Sequence, residues 1–334
     1  MSHRKHLVPA CLLIMAALVS AGVDQAQAQT QPLSRVAIVS SEKDDALALI
    51  DTRSLAVTGT ITTCKRPRHM RLSVDGKQLL VACGDSGQAD VISLATGQSV
   101  GRIALGDDPE IFDLSPDGKL LYVSNEEDGE LGIIDMATKK RLGAVAVGAE
   151  PEGVIVSPDG KRIYVTSEVA SMVHVVDAAT RKIEKNIAVG KRPRRFVFSA
   201  NGGELWVSNE LGASISVIDT RTLAVTKTIP FEVKGMRADD ISPVDMKLSR
   251  DGQTMYVGLG RANHVAFVDT AQKSTRALVL SGKRAWGLGL NRDGSRLFVA
   301  NGLSDDVTII DTASAKALKT VPAGRVPHSV VVVD

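Results

Sequence analysis

The sequence has few aromatic residues and almost no excess of charge. Aromatic side chains make up 3% of the 334 residues, so a surface of stacked rings for single-stranded nucleic acid is not expected. The 40 basic and 38 acidic residues leave a formal net charge of +2, which gives no general attraction to nucleic acid or membranes. A Ser-His-Asp order, a phosphate-binding loop, a haem-attachment sequence and closely spaced metal ligands are also missing. No catalytic residue and no metal site are therefore predicted from motifs.

What the sequence does contain is a repeat of about 42 residues. Each unit carries a turn of the type Ser-Pro-Asp-Gly, and most units carry an apolar run closed by Asp. The turn glycines are Gly76, Gly118, Gly160, Gly202, Gly252 and Gly294. A period of 40 to 45 residues made of short strands is typical of the blades of a β-propeller.

One unit predicts four antiparallel strands, A to D, joined by hairpins. The same position of strand B is apolar or aromatic in every unit, which assigns five of the eleven aromatic residues to the core: Ile38, Leu80, Tyr122, Tyr164, Trp206, Tyr256 and Phe298. Seven such positions predict an all-β, seven-bladed propeller. Residues 35–61 supply strands B to D without an A, and residues 329–333 supply an A alone, so we expect these two segments to pair and close the ring.

The first 28 residues have the pattern of a secretory signal peptide. Basic residues at the start precede an apolar run at 7–23 and a small-x-small cleavage site at Ala26-Gln27-Ala28. We expect cleavage after Ala28, export to a bacterial periplasm, no membrane attachment afterwards, and a single propeller domain at 29–334 that is a monomer.

Two cysteines remain after this cleavage, Cys64 and Cys83. The repeat places both at the same rim of the predicted ring, and disulfides persist in oxidising compartments. The sequence leaves open whether they form a disulfide or are two buried thiols.

The phrases at 121–125 (Leu-Tyr-Val-Ser-Asn) and 163–167 (Ile-Tyr-Val-Thr-Ser) resemble the Tyr-Val-Thr-Asn (YVTN) propeller repeats of exported bacterial proteins. The resemblance covers the whole mature chain. It is strongest to the subgroup of periplasmic propellers associated with pyrroloquinoline-quinone (PQQ)-dependent alcohol catabolism. This resemblance implies a link to quinoprotein pathways, with PQQ as a ligand and no cofactor of the protein's own.

The connections from strand D to strand A should surround one opening of the central channel, and they are the expected site. They carry a basic set with two histidines and a tryptophan: Arg66, Arg68, His69, Arg192, Arg194, Arg195, Arg284, Trp286 and His328. Blades two and three add acidic residues there, among them Glu110 and Glu152. Guanidinium groups suit carboxylate ligands, so these residues predict an anionic ligand or acidic partner; an ordinary solvated rim is the alternative.

Three smaller features of the same rim also suggest contacts. An insertion of eight residues within 231–240 predicts a partner-binding loop with Phe231, Met236 and Arg237. Glutamates recur at one position of the B–C loops: Glu42, Glu126, Glu168 and Glu210. They indicate either a patch that binds a cation or a partner, or a residue retained when the repeat was duplicated. His69, His328 and Cys64 together are an alternative transition-metal set.

The main hypothesis is a non-enzymatic periplasmic binding protein that holds an anionic small molecule or a redox-partner protein at this rim. One alternative is a lactonase-like hydrolase or lyase in which His328 or His69 acts as the base beside Arg68 and Glu110. Another is single-stranded nucleic-acid binding through the arginines and Trp286.

Overall fold

The computed structural model describes residues 32–334 together with Met1, and the remainder of the predicted signal peptide lies outside the described residues. The described residues form 28 strands in seven four-stranded antiparallel sheets. They also include two single-turn 3₁₀ helices, Gly84–Ser86 and Ala238–Asp240. None of their helices is long and apolar enough to cross a membrane.

The strands follow one another in chain order, and each blade uses four of them. The first three strands are β1 (Val36–Ser41), β2 (Ala46–Asp51) and β3 (Val57–Thr62). Blade 1 has β4 (Pro67–Leu72), β5 (Gln78–Cys83), β6 (Gln88–Ser93) and β7 (Ser99–Ala104). Blade 2 has β8 (Pro109–Leu114), β9 (Leu120–Asn125), β10 (Glu130–Asp135) and β11 (Lys140–Ala146). Blade 3 has β12 (Pro151–Val156), β13 (Arg162–Ser167), β14 (Met172–Asp177) and β15 (Lys182–Ala188).

The remaining blades repeat this arrangement. Blade 4 has β16 (Pro193–Phe198), β17 (Glu204–Asn209), β18 (Ser214–Asp219) and β19 (Ala224–Pro230). Blade 5 has β20 (Pro243–Leu248), β21 (Thr254–Leu259), β22 (His264–Asp269) and β23 (Ser274–Leu280). Blade 6 has β24 (Ala285–Leu290), β25 (Arg296–Asn301), β26 (Asp306–Asp311) and β27 (Lys316–Pro322), and the last strand is β28 (Pro327–Val333).

Blade 7 joins the two ends of the described chain. Its strand order is β28-β1-β2-β3, and β28 pairs antiparallel with β1 in a register that places Val333 opposite Val36 and Val330 opposite Val39. The predicted seven-bladed architecture and its closure are therefore confirmed. Closure removes the two open sheet edges that a linear array of blades would leave.

The repeated turn residues form the hairpins by local hydrogen bonds. In blade 2 the hydroxyl of Ser115 accepts a hydrogen bond from Leu120 N at 2.9 Å, and Asp117 accepts one from Lys119 N at 3.1 Å. Gly118 has a φ of 71°, which a residue without Cβ adopts readily. After strand C, Asp135 accepts hydrogen bonds from the backbone and the hydroxyl of Thr138, both at 2.7 Å. Side chains that satisfy the nearby backbone explain why these residues recur in each unit.

The core lies between neighbouring blades. The aromatic position of strand B is buried in every blade that has one there, with Trp206 and Phe298 fully enclosed. The outermost strands are mostly exposed, as in β15 and β27. Each blade therefore buries its faces against two neighbours, which is why a closed ring is needed.

Cys64 and Cys83 form a disulfide, with their Cα atoms 5.7 Å apart. Cys83 ends β5 and pairs with Pro67 at the start of the inner strand β4. In the chain-entropy model, closing a loop of this length stabilises the fold by about 3 kcal/mol. Because its sulfur is bonded, Cys64 does not offer a thiolate, and the alternative metal set with His69 and His328 loses that ligand.

Removal of residues 327–334 is expected to abolish cooperative folding, because β1 then loses its partner and the ring stays open. Size-exclusion chromatography and a thermal melt measure this, with Leu318→Ser on the exposed outer strand β27 as the control. A monomeric truncated protein with an unchanged melting temperature would contradict the closure.

Candidate active site

The innermost strand of every blade begins with a β-bulge. In blade 2, Pro109 pairs with Asn125 and Phe112 with Val123, so that Glu110 and Ile111 together oppose the single residue Ser124. The same shift follows the first residue of the inner strand in the other blades. Bulges redirect side chains and are common beside active sites. Here they fall on the positions that carry most of the predicted site residues.

A hydroxyl group of strand B holds the bulge in four blades. Ser124 Oγ accepts a hydrogen bond from Ile111 N at 3.1 Å and donates one to the Glu152 carbonyl of the next blade at 2.6 Å. Thr166 makes the same pair of bonds to Gly153 N and to the Arg194 carbonyl. The Ser or Thr of the Tyr-Val-Ser/Thr phrase therefore fixes the inner strands of adjacent blades to one another.

The predicted rim arginines meet the glutamates of blades 2 to 4 and 7 in one buried group, here called the rim network: Arg68, Arg192, Arg194, Arg195, Glu42, Glu110, Glu152, Glu168 and Glu210. Arg194 lies at its centre, with a side chain that is 5% exposed. It contacts Glu168, and its guanidinium nitrogens lie 3.3 Å from Glu152 and 3.6 Å from Glu210.

The other arginines of the rim network are paired as well. Arg195 contacts Glu152, and Arg68 contacts Glu110 and lies 3.5 Å from Glu42. Arg192 lies 2.8 Å from Glu168 and 3.1 Å from Glu210. The recurring B–C loop glutamates are thus largely partners for arginines of this chain. The four arginines of the rim network thus each already have a carboxylate partner within this chain.

Burial and neighbouring charges perturb the carboxyl groups of the rim network in opposite directions. Burial and the charge of Glu152 raise the pKa of Glu110 to about 8, against the effect of Arg68. Burial also opposes ionisation of Glu152, but Arg194, Arg195 and Arg68 surround it and lower its pKa to about 2. Glu152 is therefore the charged centre to which the arginines bind.

The rest of the predicted set lies around the rim network. Arg66 contacts Asp108 and lies 2.9 Å from Asp85. Trp286 lies between two guanidinium groups, with Arg284 at 4.2 Å and Arg194 at 5.2 Å from its ring centre. His328 is buried, and neither of its ring nitrogens has a hydrogen-bond partner.

The predicted partner loop exposes only some of its residues for contact with another protein. Phe231 is 3% exposed and packs with Met236 into the core between blades 4 and 5. Arg237 is exposed and pairs with Asp240 at 3.0 Å. A contact through the two apolar residues would require this loop to rearrange, and its role in binding a partner stays a prediction.

A cavity of about 420 Å³ occupies the channel on the inner-strand side of the rim network. Its charged and ionisable lining consists of His69, Arg71, Arg195, Asp245, Lys247 and His328. His69 is half-buried and packs edge-on against Phe112, with 4.9 Å between ring centres. Burial and the charges of Arg195, Arg71 and Lys247 hold the pKa of His69 well below its usual 6.5.

The cavity is open toward the A–B turns. The side chains of Arg71 and Lys247 are 45% and 38% exposed, whereas those of Arg194 and Glu110 at the rim are 5% and 1% exposed. The sequence-based prediction placed the site at the D–A rim. The cavity lies deeper along the inner strands, and four residues of the predicted set line it: His69, Arg195, Trp286 and His328.

Four polar residues of this deeper level were missed from the sequence: Arg71, Asp113, Asp245 and Lys247. Arg71 lies 2.6 Å from Asp113, and Lys247 lies 3.0 Å from Asp245. At the position of Arg71, Asp113 and Lys247, the other inner strands carry Ile155, Val197, Gly289 and Val331. Since side chains alternate along a strand, the charged residues Asp245 and Lys247, two positions apart in β20, were the available signal.

One group of acidic side chains in the described part of the chain has the spacing of metal ligands. Oxygens of Asp108, Glu110 and Glu126 lie within 4.8 Å of one another. Arg66 and Arg68 contact two of these three carboxylates, so the group already has positive partners.

The structure is thus a seven-bladed propeller with a cavity in its central channel. A family model described as "Lactonase, 7-bladed beta-propeller" matches residues 179–333, a little under half of the chain. A search of curated proteins finds no match.

Solved structures share this fold at low sequence identity. The periplasmic gluconolactonase PpgL of Pseudomonas aeruginosa is 19% identical over 88% of this chain and 98% of its own, with a TM-score of 0.75. A putative 6-phosphogluconolactonase of Bacteroides fragilis is 16% identical over 88% and 96%, with a TM-score of 0.73. The hydrazine synthase of Kuenenia stuttgartiensis is 21% identical over 79% and 89%, with a TM-score of 0.70.

These comparisons contradict the main prediction of a non-enzymatic protein that binds an anion or a redox partner, and they favour the lactonase-like alternative. The physical reason lies in the rim. The arginines that suggested an anion site are paired with glutamates from neighbouring loops, which the linear sequence does not show.

Replacement of Arg194 by Met is expected to reduce the free energy of unfolding by about 3–5 kcal/mol, because it leaves buried carboxylates without their partner. Urea denaturation measures the change. The matched control, Arg237→Met, removes an exposed pair and should leave the free energy of unfolding almost unchanged. Equal effects of the two substitutions would show that the rim network does not stabilise the fold.

Proposed function

We propose that the protein is a lactonase-like hydrolase that opens a cyclic ester in its central cavity. The observation that carries this proposal is His69, a half-buried imidazole on the wall of a 420 Å³ cavity that also contains a guanidinium group, Arg195. This volume lies in the range of about 300–1,000 Å³ typical of small-molecule sites. The match to the lactonase family model and the similarity to the gluconolactonase fold support the same reaction class.

In the proposed reaction, His69 acts as the general base. It removes a proton from a water molecule, whose oxygen attacks the carbonyl carbon of the lactone. The bond from that carbon to the ring oxygen then breaks, and the proton on the imidazole is transferred to the ring oxygen to give a hydroxy acid. His69 suits this role because its lowered pKa keeps it neutral near pH 7.

Arg195 is the candidate for stabilising the negative charge that develops on the carbonyl oxygen. One of its nitrogens contacts Glu152, but a guanidinium has five N–H donors, so others remain for the reacting oxygen. His328 is the weaker candidate for the base because the residue is only 5% exposed, whereas His69 is half-buried. Arg68 and Glu110, earlier considered beside the base, belong to the rim network.

We further propose that the protein is exported to the periplasm after cleavage of its signal peptide. The disulfide between Cys64 and Cys83 supports this location, since disulfides persist in oxidising compartments. Membership in the YVTN-type subgroup linked to PQQ-dependent catabolism stays a prediction from the resemblance of the repeats.

His69→Gln is expected to lower kcat/KM for lactone opening by about 100-fold or more, since it removes the base while keeping the size of the side chain. A panel of five- and six-membered lactones, assayed by proton release, measures this, and the product identifies hydrolysis rather than elimination. The control is His264→Gln, because His264 bonds the Ala262 carbonyl outside the cavity. A wild-type protein that opens none of the lactones above the uncatalysed rate would overturn the proposal.

The pH dependence of kcat/KM should reflect the environment of His69. A base works in its deprotonated form, so a pKa held below 6.5 places the acid limb of the profile below pH 6.5. Arg71→Gln removes one of the positive charges that lower this pKa and should move the limb to higher pH. An acid limb above pH 6.5 in the wild type, or no displacement in the variant, would argue against His69 as the base.

A further inference from the structure

The positive groups of the central cavity are already matched by carboxylates. Among the described residues that line it, the permanent cations are Arg71, Arg195 and Lys247. Arg71 pairs with Asp113 at 2.6 Å, Arg195 contacts Glu152, and Lys247 lies 3.0 and 3.1 Å from the two oxygens of Asp245. Each of the three cations thus has a carboxylate partner: Arg71 and Lys247 pair with aspartates of the inner strands, and Arg195 pairs with Glu152 of the rim network.

These carboxylates are also held by the backbone or by a second guanidinium. Asp113 accepts hydrogen bonds from Leu114 N and, in the next blade, from Val156 N at 2.9 Å. Asp245 accepts them from Met246 N and, in the next blade, from Leu288 N, both at 2.8 Å. They therefore connect neighbouring inner strands and do not swing away from their cations easily.

An anionic ligand would have to displace one of these carboxylates or lie beside it. Displacement would leave a buried negative charge without its partner, which is costly in a protein interior. Binding beside it would place two like charges close together, which is unfavourable. A neutral ligand meets neither cost, and its hydroxyl groups can donate to the carboxylates and accept from the cations.

We infer that the cavity selects an uncharged, hydroxyl-rich lactone over one that bears a phosphate or carboxylate group. The inference takes the lactone as substrate from the proposed function. The preference for an uncharged ligand depends only on the three ion pairs. The inference therefore distinguishes a neutral lactone from a charged lactone that has the same ring size and stereochemistry.

The first experiment compares kcat/KM for a six-carbon aldonolactone with that for its 6-phosphate. The neutral lactone is expected to be preferred by at least about tenfold, the equivalent of one unfavourable charge interaction. Asp245→Asn frees Lys247, and Asp113→Asn frees Arg71, so either variant should move the ratio toward the phosphate ester by about tenfold. The control is Glu127→Gln, an equal change of charge on an exposed loop, which should leave the ratio unchanged.

The second experiment measures binding without turnover. Trp286 lines the cavity and Trp206 lies in the core, so the Trp206→Phe variant reports ligand binding through Trp286 fluorescence. The probes are 1,5-anhydroglucitol and its 6-phosphate, which carry no ester to open. Tighter binding of the neutral probe supports the inference even if no lactone is opened, in which case the proposed function alone fails. Equal or tighter binding of the phosphate, or binding of neither probe, overturns the inference.

Discussion

The pairing of β28 with β1 is the constraint on which the rest of the structure depends. It joins residues some 290 positions apart, such as Val330 and Val39, and turns a row of similar sheets into a ring. Only a closed ring surrounds a channel, and only then do the seven inner strands face one another. The loss of chain entropy on closure is offset because each blade then buries both faces against a neighbour. The rim network and the cavity are both consequences of this one contact between the ends of the fold.

Within the ring, the bulge at the start of each inner strand positions several of the charged residues of the rim network. It places two consecutive residues of the inner strand opposite a single residue of strand B, and the hydroxyls of Ser124, Thr166 and their counterparts hold it in place. Blades 1 to 4 use these positions for arginines and glutamates that pair across blade boundaries. These ion pairs occupy one end of the channel, and the cavity lies beside them at the level of His69.

Several features could be read from the sequence because they arise from local chemistry that repeats. The Asp-Gly turns, the Asp after strand C and the buried aromatic position of strand B each recur at a constant spacing, so they predict the strands, the number of blades and the closure. The cavity residues Arg71 and Lys247 could not be recognised in this way. They differ from blade to blade, and their partners Asp113 and Asp245 acquire meaning only when neighbouring inner strands lie side by side.

The sequence by itself determined the seven-bladed ring, since period, turns and apolar alternation act over a few residues and are repeated often enough to be unambiguous. The tertiary structure alone decided which charges are free. The sequence predicts Arg194 as an exposed cation on a loop. In the assembled ring, three glutamates from other connections enclose it. Electrostatic interactions depend on distance and burial in space rather than on separation along the chain. The pairing of the rim charges and the cavity beside them therefore became visible only once the blades were assembled.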